Sequence, residues 1–127
     1  METKDNLLKL WDAVYLRFKQ LNLDANIRNM LLVMLEDLII EISRYDIPVI
    51  RTAYIRRRFT EHADKYFFLM ADVCEDIVIF TLTFVILIDV LNEFIDEREQ
   101  ETLFEQAANL LEVKKIIEFQ KDKWITI

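Results

Sequence analysis

The sequence predicts an all-α protein, a single domain over residues 1–127 built as a bundle of four or five helices. A central apolar helix is expected at about Ile77–Leu91. The chain has no glycine and one proline, Pro48, where average usage would give roughly 7% and 5%. Hydrophobic residues make up 54% and charged residues 31%, and the two classes recur at helical spacing. Glycine-dependent phosphate loops and nucleophile turns are therefore excluded.

The first two predicted helices form an antiparallel hairpin. Apolar residues three and four positions apart predict a helix from Asn6 to Leu21 and another from Ile27 to Tyr45. Asn22, Asp24 and Asn26 lie between them and have side chains suited to turns and N-caps.

A short third helix is predicted to begin at Asp46, as N-cap, with Pro48 in its first turn, and to end near Phe59. From Glu61 to Glu97 no residue breaks a helix. One helix of that length would reach about 55 Å, so one straight helix and two helices with a break between Val73 and Ile77 both remain open. Its expected solvent stripe comprises Glu61, Asp64, Lys65, Asp72, Glu75, Asp76, Thr83, Asp89, Glu93 and Glu97.

The alternative that Ile77–Val90 is a buried strand is disfavoured, because no other segment offers a partner strand. A last helix is predicted from Glu99 to Lys123, with acidic residues first and lysines last, as the helix dipole favours. Its inward residues are expected to be Leu103, Phe104, Ala107, Leu110, Leu111, Ile117 and Phe119.

An apolar group interrupts the charged stripe of the long helical region. Such a group is buried either by other helices of the chain or by a second molecule, and the sequence leaves both explanations open. If it is exposed, it is the expected contact surface for a partner or a homodimer. Its members are Ile79, Leu82, Thr83, Ile86 and Val90.

A basic cluster stands out in an otherwise acidic chain. Arginines bind planar anions such as phosphate and carboxylate. We expect them to pair with acids between Asp96 and Glu105, within the domain or across a dimer. The cluster comprises Arg51, Arg56, Arg57 and Arg58, and the corresponding acidic patch comprises Asp89, Glu93, Asp96, Glu97 and Glu101.

Arg57 and His62 also stand at R-x4-H spacing. This pair resembles the R-x4–6-H signature of the HEPN ribonuclease superfamily, whose small helical domains often dimerise. The resemblance covers these two residues. It implies metal-independent RNA cleavage or RNA binding by a dimer, with arginine holding the phosphate and histidine moving a proton.

Other chemistries are disfavoured by composition. One histidine and one cysteine, Cys74, cannot build a zinc or di-iron site, so no metal or cofactor is expected. The formal charge of −7 disfavours nucleic acid as a partner. The uncharged run Ile77–Ile88 is shorter than the ~20 residues of a membrane span. Since no secretion signal is apparent at the start, we expect a cytoplasmic protein without a membrane span.

These observations favour a non-catalytic module that binds another protein, either a basic target or a second copy. Small acidic inhibitors of the immunity or anti-defence type share this character. Scarce glycine and proline with abundant isoleucine are typical of AT-rich genomes, such as those of viruses and mobile elements. The alternatives are the HEPN-like dimer and a structural subunit of a larger assembly.

Overall fold

The computed structural model describes residues 2–48 and 51–125, and within them the chain forms five α-helices and no strand. The predicted all-α bundle is confirmed, and the strand alternative for Ile77–Val90 is wrong. The helices are α1 (Glu2–Lys19), α2 (Ala25–Ser43), α3 (Thr52–Val73), α4 (Ile77–Gln100) and α5 (Phe104–Ile125).

The hairpin of α1 and α2 follows the sequence pattern closely. The carboxylate of Asp24 caps α2 by accepting hydrogen bonds from the backbone N–H groups of Asn26 and Ile27, at 3.0 and 3.4 Å. This is the N-cap role that the sequence predicted for this turn.

The helix boundaries in the middle of the chain differ from the prediction. The predicted short helix ending at Phe59 is wrong, because α3 begins at Thr52 and continues to Val73. Val49 and Ile50, which that helix would have contained, lie outside the described residues. Of the two versions of the Glu61–Glu97 region, the one with a break is correct.

That break is the segment Cys74–Asp76, between α3 and α4. Cys74 has an extended backbone conformation, and the Asp76 carboxylate accepts a hydrogen bond from the Val78 N–H at 2.9 Å. An N-cap therefore starts α4 afresh, although no helix-breaking residue stands here.

The main packing contacts connect the five helices in a closed ring, in the order α1, α2, α3, α5, α4 and back to α1. Contacts along α3 and α5 rise together in residue number: Arg56 pairs with Glu112, and the Phe68 ring lies 6.3 Å from that of Trp124. The two helices are therefore parallel. α4 lies between α5 and α1, and its Phe84 stacks on Phe67 of α3 at 4.3 Å.

A buried ion pair joins the α2–α3 loop to α4. The Arg98 guanidinium donates to both carboxylate oxygens of Asp46, at 2.9 and 2.6 Å, and the two residues are 4% and 0% exposed. Asn6 on α1 accepts a further hydrogen bond from Arg98 at 3.3 Å. The predicted N-cap role of Asp46 is therefore wrong, because its carboxylate is occupied by Arg98.

Side chains of α5 complete this network through backbone carbonyls of the same loop. Gln106 donates to the Asp46 carbonyl at 2.9 Å, and Asn109 donates to the Ile47 carbonyl at 2.6 Å. Gln106 and Asn109 consequently lie on the buried face of α5, and Gln120, which donates to Asp64 of α3, lies on it as well.

As a result, α5 buries a face that differs from the predicted one. Ala107, Leu110 and Ile117 are buried as expected. Four other residues of that face are exposed, because the polar anchors take the inward positions: Leu103 (40%), Phe104 (64%), Leu111 (38%) and Phe119 (65%).

α4 ends in a Schellman motif without glycine. The Leu103 N–H donates to the Arg98 carbonyl at 2.8 Å, and the Thr102 N–H donates to the Glu99 carbonyl at 3.0 Å. This motif requires a left-handed residue, and Thr102 adopts it with φ of 61°. A β-branched residue is strained in that region of backbone space.

Replacing Arg98 by methionine should lower the free energy of unfolding by about 3–5 kcal/mol, because it leaves the Asp46 carboxylate buried without its cation. Chemical denaturation measures the change. Arg44→Met is the matched control, since the Arg44 side chain is 51% exposed in its pair with Glu41 and should cost less than about 1 kcal/mol. Equal losses in the two variants would contradict the role assigned to the Arg98–Asp46 pair.

Thr102→Gly should raise the free energy of unfolding by about 1 kcal/mol, since glycine adopts positive φ without the steric cost that threonine bears. The control is Thr60→Gly inside α3, which should lower stability by roughly 0.3–0.5 kcal/mol, because glycine is a poorer helix former than threonine. Thermal denaturation of both variants compares them with the parent. A loss of stability in Thr102→Gly would show that the turn is not strained.

Candidate functional site

The apolar group predicted on the long helix is largely interior to the chain itself. Thr83 and Val90 are fully buried, Ile86 is 7% exposed, and Ile79 and Leu82 are half-buried. Other helices of the same chain therefore bury these three residues, which was one of the two explanations that the sequence left open. Thr83 was also placed on the solvent stripe, and this is wrong, since its hydroxyl donates to the Ile79 carbonyl at 3.1 Å inside the bundle.

The solvent-facing side of α4 carries a different set of residues. Val78 is 62% exposed, Leu82 and Val85 are half-buried, and Asp89 and Asp96 are exposed. With about 100° per residue these five positions share one side of the helix. We call them the α4 outer face, which is apolar in its first half and acidic in its second.

The remaining members of the predicted acidic patch are engaged or lie at its edge. Glu93 forms an ion pair with Arg17 of α1. Glu97 contacts the Arg98 guanidinium at 3.4 Å, and exposed Glu101 is the C-cap of α4. Among the described residues, Asp89, Asp96 and Glu101 of this patch form no ion pair, and of these three Asp89 and Asp96 belong to the α4 outer face.

Within one chain, the basic cluster forms no described ion pair with acids between Asp96 and Glu105. Arg56 donates to Glu112 of α5 at 2.9 Å, and Arg58 donates to Glu41 of α2 at 3.0 Å. The reason is that α3 lies between α2 and α5 in the ring. Arg51 and Arg57 are exposed.

Glu41 is the centre of a charged cluster between α2 and α3. It is 6% exposed, and besides Arg58 it contacts Arg44 at 3.0 Å and His62 Nε2 at 3.5 Å. The hydrogen bond to Glu41 raises the pKa of Arg58 above its usual value. A carboxylate amid these basic groups stabilises the helix pair and leaves no open anion site at this point.

Arg57 and His62 point in different directions within one chain. Five residues of helix separate their directions by about 140°, so Arg57 faces solvent while His62 faces Glu41. The His62 ring also stacks on Tyr66, with centroids 6.5 Å apart. The residue that shares His62's side of the helix is Arg58, at i−4. Arg57 and His62, the pair that carries the HEPN-like hypothesis, therefore do not converge within the monomer.

Two buried titratable groups have raised pKa values. Burial raises the pKa of the Cys74 thiol. Tyr45 is 1% exposed, and its hydroxyl has no hydrogen-bond partner within the described part of the chain. Burial, with the nearby charge of Glu41, raises the pKa of Tyr45 to about 12.

Metal and membrane sites were also sought among the described residues. No group of three histidine, cysteine, aspartate or glutamate side chains there could hold a metal ion. By length and composition α4 could span a bilayer, with a mean hydropathy of 2.1 over an 18-residue window, of which 44% is buried in the bundle. Core helices of soluble proteins share these properties.

Comparisons of the chain with protein-family models, curated proteins and solved structures give no match.

Sequence reasoning missed Glu41 and the role of Asp46. The signal for Glu41 was present, since it interrupts the apolar run Leu38–Ile42 of α2 and a charge in such a run needs a partner. Asp46 beside Pro48 gave the signal of an N-cap, and its partner Arg98 is 52 residues away along the chain. No local pattern connects the two.

Tyr45→Phe should leave the free energy of unfolding at neutral pH unchanged or slightly higher, because it removes a buried hydroxyl without a partner. The pKa of Tyr45 is higher in the folded protein than its ordinary value of 10.0. The stability that depends on protonated Tyr45 is therefore fully present below pH 10 and is lost as the pH rises towards 12. Denaturation between pH 9 and 12 should show a shallower loss of stability in Tyr45→Phe than in the parent.

Tyr54→Phe provides the control for this pH series, since Tyr54 is 44% exposed. Its profile should follow the parent. Identical slopes in Tyr45→Phe and the parent would contradict the burial of a protonated Tyr45.

Proposed function

We propose that this protein is a non-catalytic binding module that contacts a basic protein through the α4 outer face. One observation carries the proposal: an exposed and two half-buried apolar residues and two unpaired carboxylates follow each other on one side of a single helix. Val78, Leu82 and Val85 form the apolar half, and Asp89 and Asp96 the acidic half. From Val78 to Asp96 the surface extends about 27 Å.

The apolar half supplies burial energy. Val78, two residues after the N-cap Asp76, is 62% exposed, and complete burial of such a side chain stabilises a complex by about 1.5–3 kcal/mol. Leu82 and Val85 continue this surface along the helix. Apolar anchors of this kind dominate the energetics of protein interfaces.

The acidic half supplies attraction and orientation. The formal charge of −7 attracts a basic partner at long range, and Asp89 and Asp96 have no competing cation among the described residues. Such steering raises association rates and fixes the register of the partner. Inhibitors that neutralise a basic enzyme use this combination, and by that analogy we propose an intracellular inhibitor or adaptor.

Binding of a synthetic amphipathic helix of leucine and lysine, measured by fluorescence anisotropy, tests this surface. The double variant Asp89→Lys with Asp96→Lys should weaken binding about tenfold or more, because two attractions become repulsions. Val78→Asp should weaken binding by a similar factor through the apolar half. Added salt should weaken binding to the parent more than binding to the charge-reversed variant.

The matched control is Glu36→Lys with Glu118→Lys. Both residues are exposed, on α2 and α5, so this variant has the same net charge as the first but an intact α4 outer face. It should bind the peptide within about threefold of the parent, as expected for distant charges. Equal losses in the two double variants would show that net charge alone attracts the peptide, and the proposed surface would be rejected.

A further inference from the structure

The outer side of α5 carries a second uncovered apolar surface. Phe104 is 64% exposed, Leu111 38% and Phe119 65%. Ala108 and Lys115 occupy the positions between them on the same side, at helical spacing. We call these five residues the α5 ridge, which extends about 22 Å. It is separate from the α4 outer face and plays no part in the proposed function above.

We propose that the α5 ridge is a homodimer interface, in which two copies of this chain pair antiparallel about a two-fold axis beside Leu111. The ridge is symmetric about that point. Phe104 lies seven residues before Leu111, and Phe119 lies eight residues after it. In an antiparallel pair, Phe104 of one copy therefore meets Phe119 of the other, and Leu111 lies beside its own counterpart.

Each exposed phenylalanine has a shallow depression beside it that the second copy can fill. The depression beside Phe104 is lined by Pro48, Thr102, Leu103, Glu105 and Gln106. The one beside Phe119 lies between α3 and α5 and is lined by Arg56, Thr60, Glu112, Lys115 and Ile116. Antiparallel pairing brings each ring opposite the depression at the other end of the ridge, so the surface is self-complementary.

One charge pair on α5 favours the same orientation. Its first turn carries exposed Glu105, and its second half carries exposed Lys115, followed by Glu118, which is also exposed. The Lys115 side chain is 58% exposed and 3.8 Å from Glu112 of its own helix. Antiparallel pairing places Lys115 of each copy one turn from Glu105 of the other, and the two-fold axis repeats the attraction. Parallel pairing would place like charges together.

Sedimentation of the parent over a concentration series should show a dimer. Phe119→Asp and Leu111→Asp should each abolish it while leaving the helical circular dichroism spectrum unchanged, since both residues are already exposed. Val33→Asp is the matched control, because Val33 is 64% exposed on α2, and it should remain dimeric. A monomeric parent, or a dimer that survives both ridge variants, would overturn the proposal.

Cross-linking then tests the orientation. In a Cys74→Ala background, Leu111→Cys should form a disulfide-linked dimer on mild oxidation, whereas Val33→Cys should not. An equal mixture of Phe104→Cys and Phe119→Cys should yield the mixed dimer in excess over the two homodimers together, since random pairing would give equal amounts. Lys115→Glu should raise the dimer dissociation constant about tenfold, and Glu105→Lys in the same chain should restore it. Homodimers in excess from the cysteine mixture would contradict the antiparallel pairing.

Discussion

The ion pair between Arg98 and Asp46 is the constraint on which the rest of this bundle depends. Both groups are almost completely withdrawn from water, so each requires the other. Their contact joins α4 to the α2–α3 loop, and Asn6 from α1 together with Gln106 and Asn109 from α5 completes the hydrogen bonds. Three helices and a loop thus meet at one polar centre. This centre determines the rotation of α5, because its polar anchors must face inward, and the same rotation turns the α5 ridge outward.

The sequence predicted which segments are helical better than it predicted which face of each helix is buried. Apolar spacing sufficed for α1 and α2, where Asp24 caps the second helix as expected. It failed on α5, because polar residues with partners in the core took inward positions that periodicity assigns to Phe104 and Phe119. Cys74–Asp76 ended a helix without glycine or proline, through an N-cap and extended backbone, and only the length of the region indicated a break.

The candidate surfaces were less accessible to sequence reasoning than the fold. Thr83, Ile86 and Val90 stood out as apolar residues among charges, yet the ring of helices covers them with α1 and α5. The arginines are recognisable in sequence, but their partners Glu41 and Glu112 depend on which helices are neighbours of α3. Helix order in the ring is a tertiary property, and single-sequence periodicity carries no information about it. The exposed residues of α4 and α5 could be identified only once that order was known.

The order of the helices in the ring has a consequence for folding during translation. α1 packs against α4 through contacts such as Arg17 with Glu93, 76 residues later in the chain, and Asp46 meets its cation only at Arg98. A nascent chain therefore exposes the apolar sides of α1, α2 and α3 until most of the protein has been translated. The bundle therefore closes late in translation. Until then the exposed apolar surface is a binding site for chaperones and a starting point for aggregation. A translation product that stops before α4 would expose the apolar sides of α1, α2 and α3 without the helix that covers them.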